Sequence, residues 1–175
     1  MKVAETIKAF DLYLADRKLK FEAVVIGGTA LNLLGVVSRE TKDCDILDPQ
    51  IPESVIKAAT EFKKSRPELS PNWLNNGPDS LKKNLPQGWN NRLQILFKGK
   101  AILFHTLART DLLKTKLFAY CDRGIDLPDC RALQPMRDEL NEALSWVQYQ
   151  DANVDWPNYV KRKIQELAIE LGYEL

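Results

Sequence analysis

The chain has little of what a metal cage or a disulfide framework needs: one histidine and three cysteines in 175 residues. A lone His105 with Cys44, Cys121 and Cys130 supplies no paired zinc-ligand pattern. Three unevenly spaced thiols also exclude a disulfide scaffold and read as reduced cysteines of a cytoplasmic protein. No apolar run approaches a membrane span and the N-terminus shows no secretory pattern, so no membrane partner is expected. There is no surplus of one charge: 25 Lys and Arg stand against 24 Asp and Glu, a formal net charge of +1. That argues against a protein built mainly to grip a nucleic-acid backbone. The balance is uneven along the chain, with 13 Lys and Arg against 5 Asp and Glu from Lys57 to Arg123. Scattered charges of this kind usually form a solvated surface. No internal repeat stands out, and the length suits one domain, or one core with a helical appendage.

What is present centres on Val24–Leu47, VVIGGTALNLLGVVSRETKDCDIL. Ala23–Ile26 is an apolar run fit for a buried strand. Gly27 and Gly28 follow, then a short helical pattern from Thr29 to about Leu34. A second strand-like run places Asp43 and Asp45 one residue apart, so both carboxylates share a face while Cys44 and Ile46 take the other. Paired carboxylates repel, and a divalent cation is the usual means of keeping both ionised. A Gly-Gly turn exposes backbone N–H groups to which a phosphate can approach. These are the parts of phosphoryl-transfer chemistry.

The order Gly27-Gly28, Arg39-x-Thr41-x-Asp43-x-Asp45 resembles the DNA polymerase β-like nucleotidyltransferase superfamily. Within it, the closest likeness is to the abortive-infection toxin-type nucleotidyltransferases and their small relatives. The spacer between the two motifs is slightly long. The resemblance implies an α/β (α+β) fold: a small mixed nucleotidyltransferase-type sheet flanked by helices, with a C-terminal helical segment. It places the core at 1–109 and a helical part, packed on the same core, at 110–175. It also implies Asp43 and Asp45 as ligands of Mg²⁺ (or Mn²⁺), and Gly27, Gly28 and Thr29 at the phosphates of an NTP substrate. A third carboxylate is expected from a later strand.

Elsewhere the chain reads as follows. Glu5–Arg17 is helical, with Ile7, Phe10, Leu12 and Leu14 inside and Lys and Asp on other sides. Glu53–Lys64 is helical behind Pro52, with Val55, Ile56, Ala59 and Phe62 inside. Residues 67–90 form a long irregular stretch, rich in Pro, Asn and Gly, yet carrying Trp73, Leu74 and Trp89; the tryptophans either stack on a base or pack the loop on its own domain. Arg92–Phe97 and Ala101–Leu107 form a hairpin around Lys98-Gly99-Lys100. Neither arm contains an acid, and His105, in the second arm, reads as a satisfied core or edge residue.

Thr110 or Asp111 is placed to cap a helix running to about Cys121. Leu112, Leu113, Leu117, Ala119 and Tyr120 line one side of it, with Lys116 among them and Lys114 and Thr115 towards the opposite side. A lysine on an apolar face either snorkels to water or meets a buried phosphate or carboxylate. The resemblance favours the second reading, since KLFAYCDRGIDLPD looks like the toxin-type Lys-to-Asp segment. It puts Lys116 at the phosphates and makes Asp126 and Asp129 candidates for the late acid. Asp126 also reads as a helix N-cap and Asp129 as the third helical residue, roles that need no catalysis. Arg137–Val147 and Tyr159–Leu171 are helical, separated by a break in which Asp151 and Asp155 serve turns and caps.

The expected function is transfer of a nucleoside monophosphate from an NTP to an acceptor hydroxyl, on an RNA (tRNA) end or a protein side chain. The rivals are a nucleotide-binding protein without catalysis, and an interaction module such as one half of a toxin–antitoxin pair with an antitoxin-like partner. The bland alternative is an α/β domain whose Asp43 and Asp45 merely cap or pair with Arg39 and Lys42.

Overall fold

A computed structural model describes residues 2–175. Its backbone is a mixed α+β arrangement of two compact units, one running to Lys83 with Asn90–Leu107, the other formed by Asn84–Trp89 and Ala108–Leu175.

The first unit begins with α1 (Val3–Asp16), β1 (Phe21–Ile26), α2 (Gly27–Leu33) and β2 (Cys44–Asp48). α3 (Glu53–Lys64), β3 (Leu74–Asn75), β4 (Gln94–Lys98) and β5 (Ile102–Thr106) follow, with 3₁₀ turns over Gly77–Asn84 and Trp89–Asn91. The five strands form one sheet in the order β3-β2-β1-β5-β4. β1 runs antiparallel to β2 and parallel to β5; β3 joins β2 in parallel, and β4 and β5 form the expected antiparallel hairpin.

One sheet face carries Phe21, Ala23, Val25, Cys44, Ile46, Ile102 and Phe104 into a core closed by Ile7 and Phe10 of α1 and Val55 and Phe62 of α3. Each such large side chain contributes about 1.5–3 kcal/mol by leaving water. Trp73 joins this core at 1% exposure, edge-on to Phe10 at 5.0 Å and donating its indole N–H to the Ala59 carbonyl at 3.2 Å. Trp73, one of the two tryptophans of the irregular stretch, therefore packs its part of the loop onto its own unit.

Two helices deviate from the simple apolar stripe. Leu12 and Ile56, expected inside, are about half exposed at 50% and 48%. Asp11, expected on a polar side, is buried, because its carboxylate accepts the backbone N–H groups of Lys100, Ala101 and Ile102 at 2.8–2.9 Å. Gly99 beside it is so close that any Cβ there would overlap the Asp11 carboxylate. Helix and hairpin turn are thus joined by a charge-assisted clamp.

The second unit comprises α4 (Arg109–Arg123), α5 (Leu127–Ala132), α6 (Arg137–Gln148) and α7 (Trp156–Glu170). α4 packs with α5, α6 and α7. Residues 111–117 are all buried in consequence: Lys114 and Thr115, expected to face outward, are covered, and Lys114 pairs with Glu142 of α6 at 2.6 Å. The helix starts at Arg109 with Ala108 as N-cap, so neither Thr110 nor Asp111 caps it; Asp111 lies buried within the first turn. Asp151 makes the expected turn bond, accepting Asn153 N–H at 2.7 Å.

Candidate active site

β2 starts at Cys44, so Asp43 lies one residue ahead of the strand and Asp45 within it. The alternation is kept: Cys44 and Ile46 are fully buried, whereas Asp43 and Asp45 are half-buried. Two residues along a strand advance about 6.6 Å, which sets the carboxyls on one face. Burial, followed by the adjoining Asp45 and Asp43 charges, pushes the Cys44 thiol far above its ordinary range.

The Gly-Gly turn meets this pair directly. Asp45 lies opposite Ile26, the last residue of β1, so the chain leaving β1 passes the Asp45 side chain. Gly27 has φ +73°, and a Cβ there would come within 2.7 Å of Asp45 Oδ2. Both the backbone conformation and the space demand glycine. Gly28 is different: a Cβ would meet Thr41 Oγ1 at 3.5 Å and an Arg39 guanidinium nitrogen at 3.7 Å, ordinary contact distances. Thr29 is fully buried and donates its hydroxyl to the Asp43 carbonyl at 2.6 Å, tying α2 to the start of β2. The structure therefore brings Gly27, Gly28, Thr29, Asp43 and Asp45 into one neighbourhood, with Arg39 and Thr41 at its rim.

Two residues that sequence reasoning passed over complete it. Ser70 donates its hydroxyl to Asp43 Oδ1, and Asn75 donates its amide N–H to Asp45 Oδ1 at 3.2 Å. Both come from the irregular stretch after α3. Asn75 lies in register with Asp45 on β3, the later strand beside β2. An amide, not an acid, thus occupies that strand beside the pair. The only hint in the sequence was the burial demanded by Trp73 and Leu74.

Lys116, Asp126 and Asp129 assemble in the second unit. The Lys116 ammonium bonds Asp126 Oδ1 at 2.9 Å and Asp129 Oδ2 at 2.7 Å, and all three side chains are less than 10% exposed. Arg123 reaches Asp126 Oδ2 at 3.0 Å. Lysine on the apolar face thus meets buried carboxylates. Asp126 is the residue before α5 but makes no side-chain cap, its carboxylate being engaged by Lys116 and Arg123. Burial, with Asp126 next in effect, pushes the nearby Cys130 thiol up to about 12. His105 pairs with Glu22 at 3.1 Å across the β1–β5 step, a satisfied residue on an interior strand of the sheet, not on an edge.

Among the described residues there is no group of three or more His, Cys, Asp and Glu that could hold a metal ion. Magnesium does not require one, since it commonly takes one or two carboxylates and fills its remaining positions with water and substrate phosphates. Two half-buried acids on one strand face, each aligned by a neutral donor and with the bare Gly27 against Asp45, match that donor set.

A mixed sheet that sets a Gly-Gly turn against an acidic strand defines a nucleotidyltransferase-type architecture. The chain belongs to the family described as nucleotidyltransferase of unknown function (DUF6036), whose model matches residues 2–163. No curated protein and no solved structure matches it. No helix of the described residues is long and apolar enough to cross a membrane.

Proposed function

We propose that the protein moves a nucleoside monophosphate from an NTP to an acceptor hydroxyl, on an RNA end or a protein side chain. The observation that carries this reading is the close approach of Gly27 to Asp45, which merges the glycine turn and the acidic pair into one site. In the reaction the acceptor oxygen bonds to the α-phosphorus while the bond to the β-bridging oxygen breaks, releasing pyrophosphate; the acceptor proton passes to a carboxylate. Asp43 and Asp45 hold Mg²⁺ or Mn²⁺, which when bound neutralises the triphosphate and polarises the reacting oxygens. Gly28 leaves its Cα bare beside Arg39 and Thr41, so that a phosphate can reach the backbone there. Thr29 acts by fixing the Asp43 main chain, its hydroxyl proton being committed to that carbonyl. The resemblance would put Lys116 at the leaving phosphates and Asp129 or Asp126 at the proton; within the second unit these three side chains are committed to one another, so no step is routed through them.

A second reading has its own support: Asn75 in place of an acid beside Asp45 suits a protein that binds nucleotide without turning it over. A toxin-like role, with an antitoxin-like partner, rests on the resemblance of the Lys-to-Asp segment.

Calorimetry with the four nucleoside triphosphates, with and without Mg²⁺, tests the proposal on wild type and on Asp43→Ala/Asp45→Ala. Metal-dependent binding of one triphosphate, lost in the double variant, is the expected result. Absence of binding by the wild type overturns it. Pyrophosphate release in the presence of RNA or protein acceptors then separates transfer from mere binding. Gly28→Ala is expected to fold normally and to weaken triphosphate binding, because sterically only the ligand's approach forbids a methyl there.

A further inference from the structure

Neither acid of the pair is left to set its own orientation. The segment that follows α3 runs past β2 and delivers one donor to each: Ser70 Oγ to Asp43 Oδ1, and Asn75 Nδ2 to Asp45 Oδ1. Its path is over-determined. Trp73 is sealed in the core, its carbonyl accepts the Cys44 N–H between the two acids, and Leu74 and Asn75 pair with Cys44 and Asp45.

The orientation of the Asn75 amide is also decided. Its Oδ1 lies 2.7 Å from the backbone N–H of Gly77, which can bond only an acceptor, so the NH₂ group must be the end that faces Asp45. A second bond from the same NH₂ to the Asn72 carbonyl, at 3.3 Å, agrees with that choice. Gly77 permits the approach: a Cβ there would fall 2.7 Å from Asn75 Oδ1. Each donor takes the Oδ1 oxygen of its acid and thereby fixes where Oδ2 points, which for Asp45 is over Gly27. Hydrogen bonds to one oxygen of a metal-binding carboxylate hold the other in its coordinating direction, and their loss typically weakens metal binding about 10–100-fold.

We infer that Ser70 and Asn75 are positioning residues of the carboxylate pair, holding Asp43 and Asp45 in the orientation that accepts a divalent cation delivered with the triphosphate. This rests on the nucleotidyltransferase reading of the same site. It assigns a task to the irregular stretch 67–76 and explains why an amide stands in register with Asp45.

The test titrates Mn²⁺ into wild type, Ser70→Ala, Ser70→Thr, Asn75→Ala and Asp43→Ala at a fixed NTP concentration, following triphosphate binding by calorimetry. Ser70→Ala removes one oxygen from a half-buried loop residue, so a folded variant is available whatever Asn75→Ala does; thermal melts check both. The Mn²⁺ concentration giving half-maximal binding is expected to rise about 10–100-fold in Ser70→Ala and Asn75→Ala. At saturating Mn²⁺ the NTP affinity should return to within a few-fold of wild type, and Ser70→Thr, which keeps the hydroxyl, should track wild type. A general loosening of the fold would lower NTP affinity at every metal concentration and would not be rescued by threonine. If Ser70→Ala keeps the wild-type half-saturation while Asp43→Ala abolishes binding, the positioning role is wrong and the nucleotidyltransferase reading stands. If wild type shows no Mn²⁺-dependent binding, both fall.

Discussion

The molecule contains two sites at which a pair of aspartates is brought together, and they are held by opposite means. Asp43 and Asp45 lie half-buried on a strand face, aligned by the neutral hydroxyl of Ser70 and the neutral amide of Asn75. Asp126 and Asp129 are buried around a lysine ammonium, with Arg123 adding a second cation. A neutral donor orients a carboxylate without cancelling its charge. In the second the charges compensate one another, and each member depends on the others for its place in a low-dielectric setting. Removing a partner therefore has different consequences: lost orientation in one case, an uncompensated buried charge in the other.

The sharpest way to break the comparison is Lys116→Met. It removes the ammonium that both buried carboxylates share, leaving the Arg123 contact to Asp126, and should destabilise the fold by about 3–5 kcal/mol, read from urea unfolding at neutral pH. Adding Asp126→Leu and Asp129→Leu to the same chain should recover most of that loss, since a well-packed apolar replacement of a whole ion cluster is often neutral. Failure of the triple variant to recover would mean that the cluster does more than compensate itself.

Asp11 sharpens the contrast as a carboxylate held by donors alone, in a place where no substrate is expected. Burial tends to raise its carboxyl, but the three backbone N–H bonds and the Lys100 charge outweigh that and hold it below the usual range. Since the folded value is below the unfolded one, its contribution is complete above about pH 4 and is lost as pH falls through the folded value. Asp11→Asn should cost about 1–3 kcal/mol at pH 7, and the deficit relative to wild type should shrink in urea melts taken between pH 4 and pH 2. A constant deficit across that range would remove the carboxylate's charge from the account.

Gly27→Ala tests the first site from its glycine side. The methyl must be accommodated at φ +73° and against Asp45 Oδ2, so a loss of about 1–2 kcal/mol is expected, with triphosphate binding lost more completely than stability. The smallest effect concerns the thiols that accompany the two acidic pairs. Cys44 and Cys130 are both fully buried and both raised, Cys130 to about 12, with burial the leading cause in each. Neither should react with iodoacetamide at pH 7.5 in the native protein, and both should react in urea. Labelling of one alone would show that its site opens more readily than the other.

Much of this architecture was legible before any coordinates. α3 runs over Glu53–Lys64, the bounds its pattern suggested, and the strand, glycine turn and acidic strand occupy the expected order. Those features are local: a period, a breaker, a spacing. Misplaced side chains arose where one element has several neighbours. The apolar periodicity of α4 implied one buried side, but three helices surround it, so Lys114 and Thr115 are covered as well. Asp11, Ser70 and Asn75 escaped notice for a related reason. Their partners lie 27 to 91 residues away, and a polar residue bound to a distant backbone or carboxylate looks, in sequence, like any exposed one.

The clamp between Asp11 and the hairpin turn joins points 89 to 91 residues apart. During synthesis on a ribosome, α1 and β1 emerge long before the strand that covers the flank of β1 and the backbone donors that satisfy Asp11. Until then the N-terminal helix carries an unmatched acid against an apolar face, and β1 has an unpaired edge open to other nascent chains. Completion of the sheet and satisfaction of that acid's hydrogen bonds arrive together, with the emergence of residues 100–106. The hairpin therefore acts as the latch of the whole first unit, and a chain stopped short of it should depend on chaperones to stay soluble.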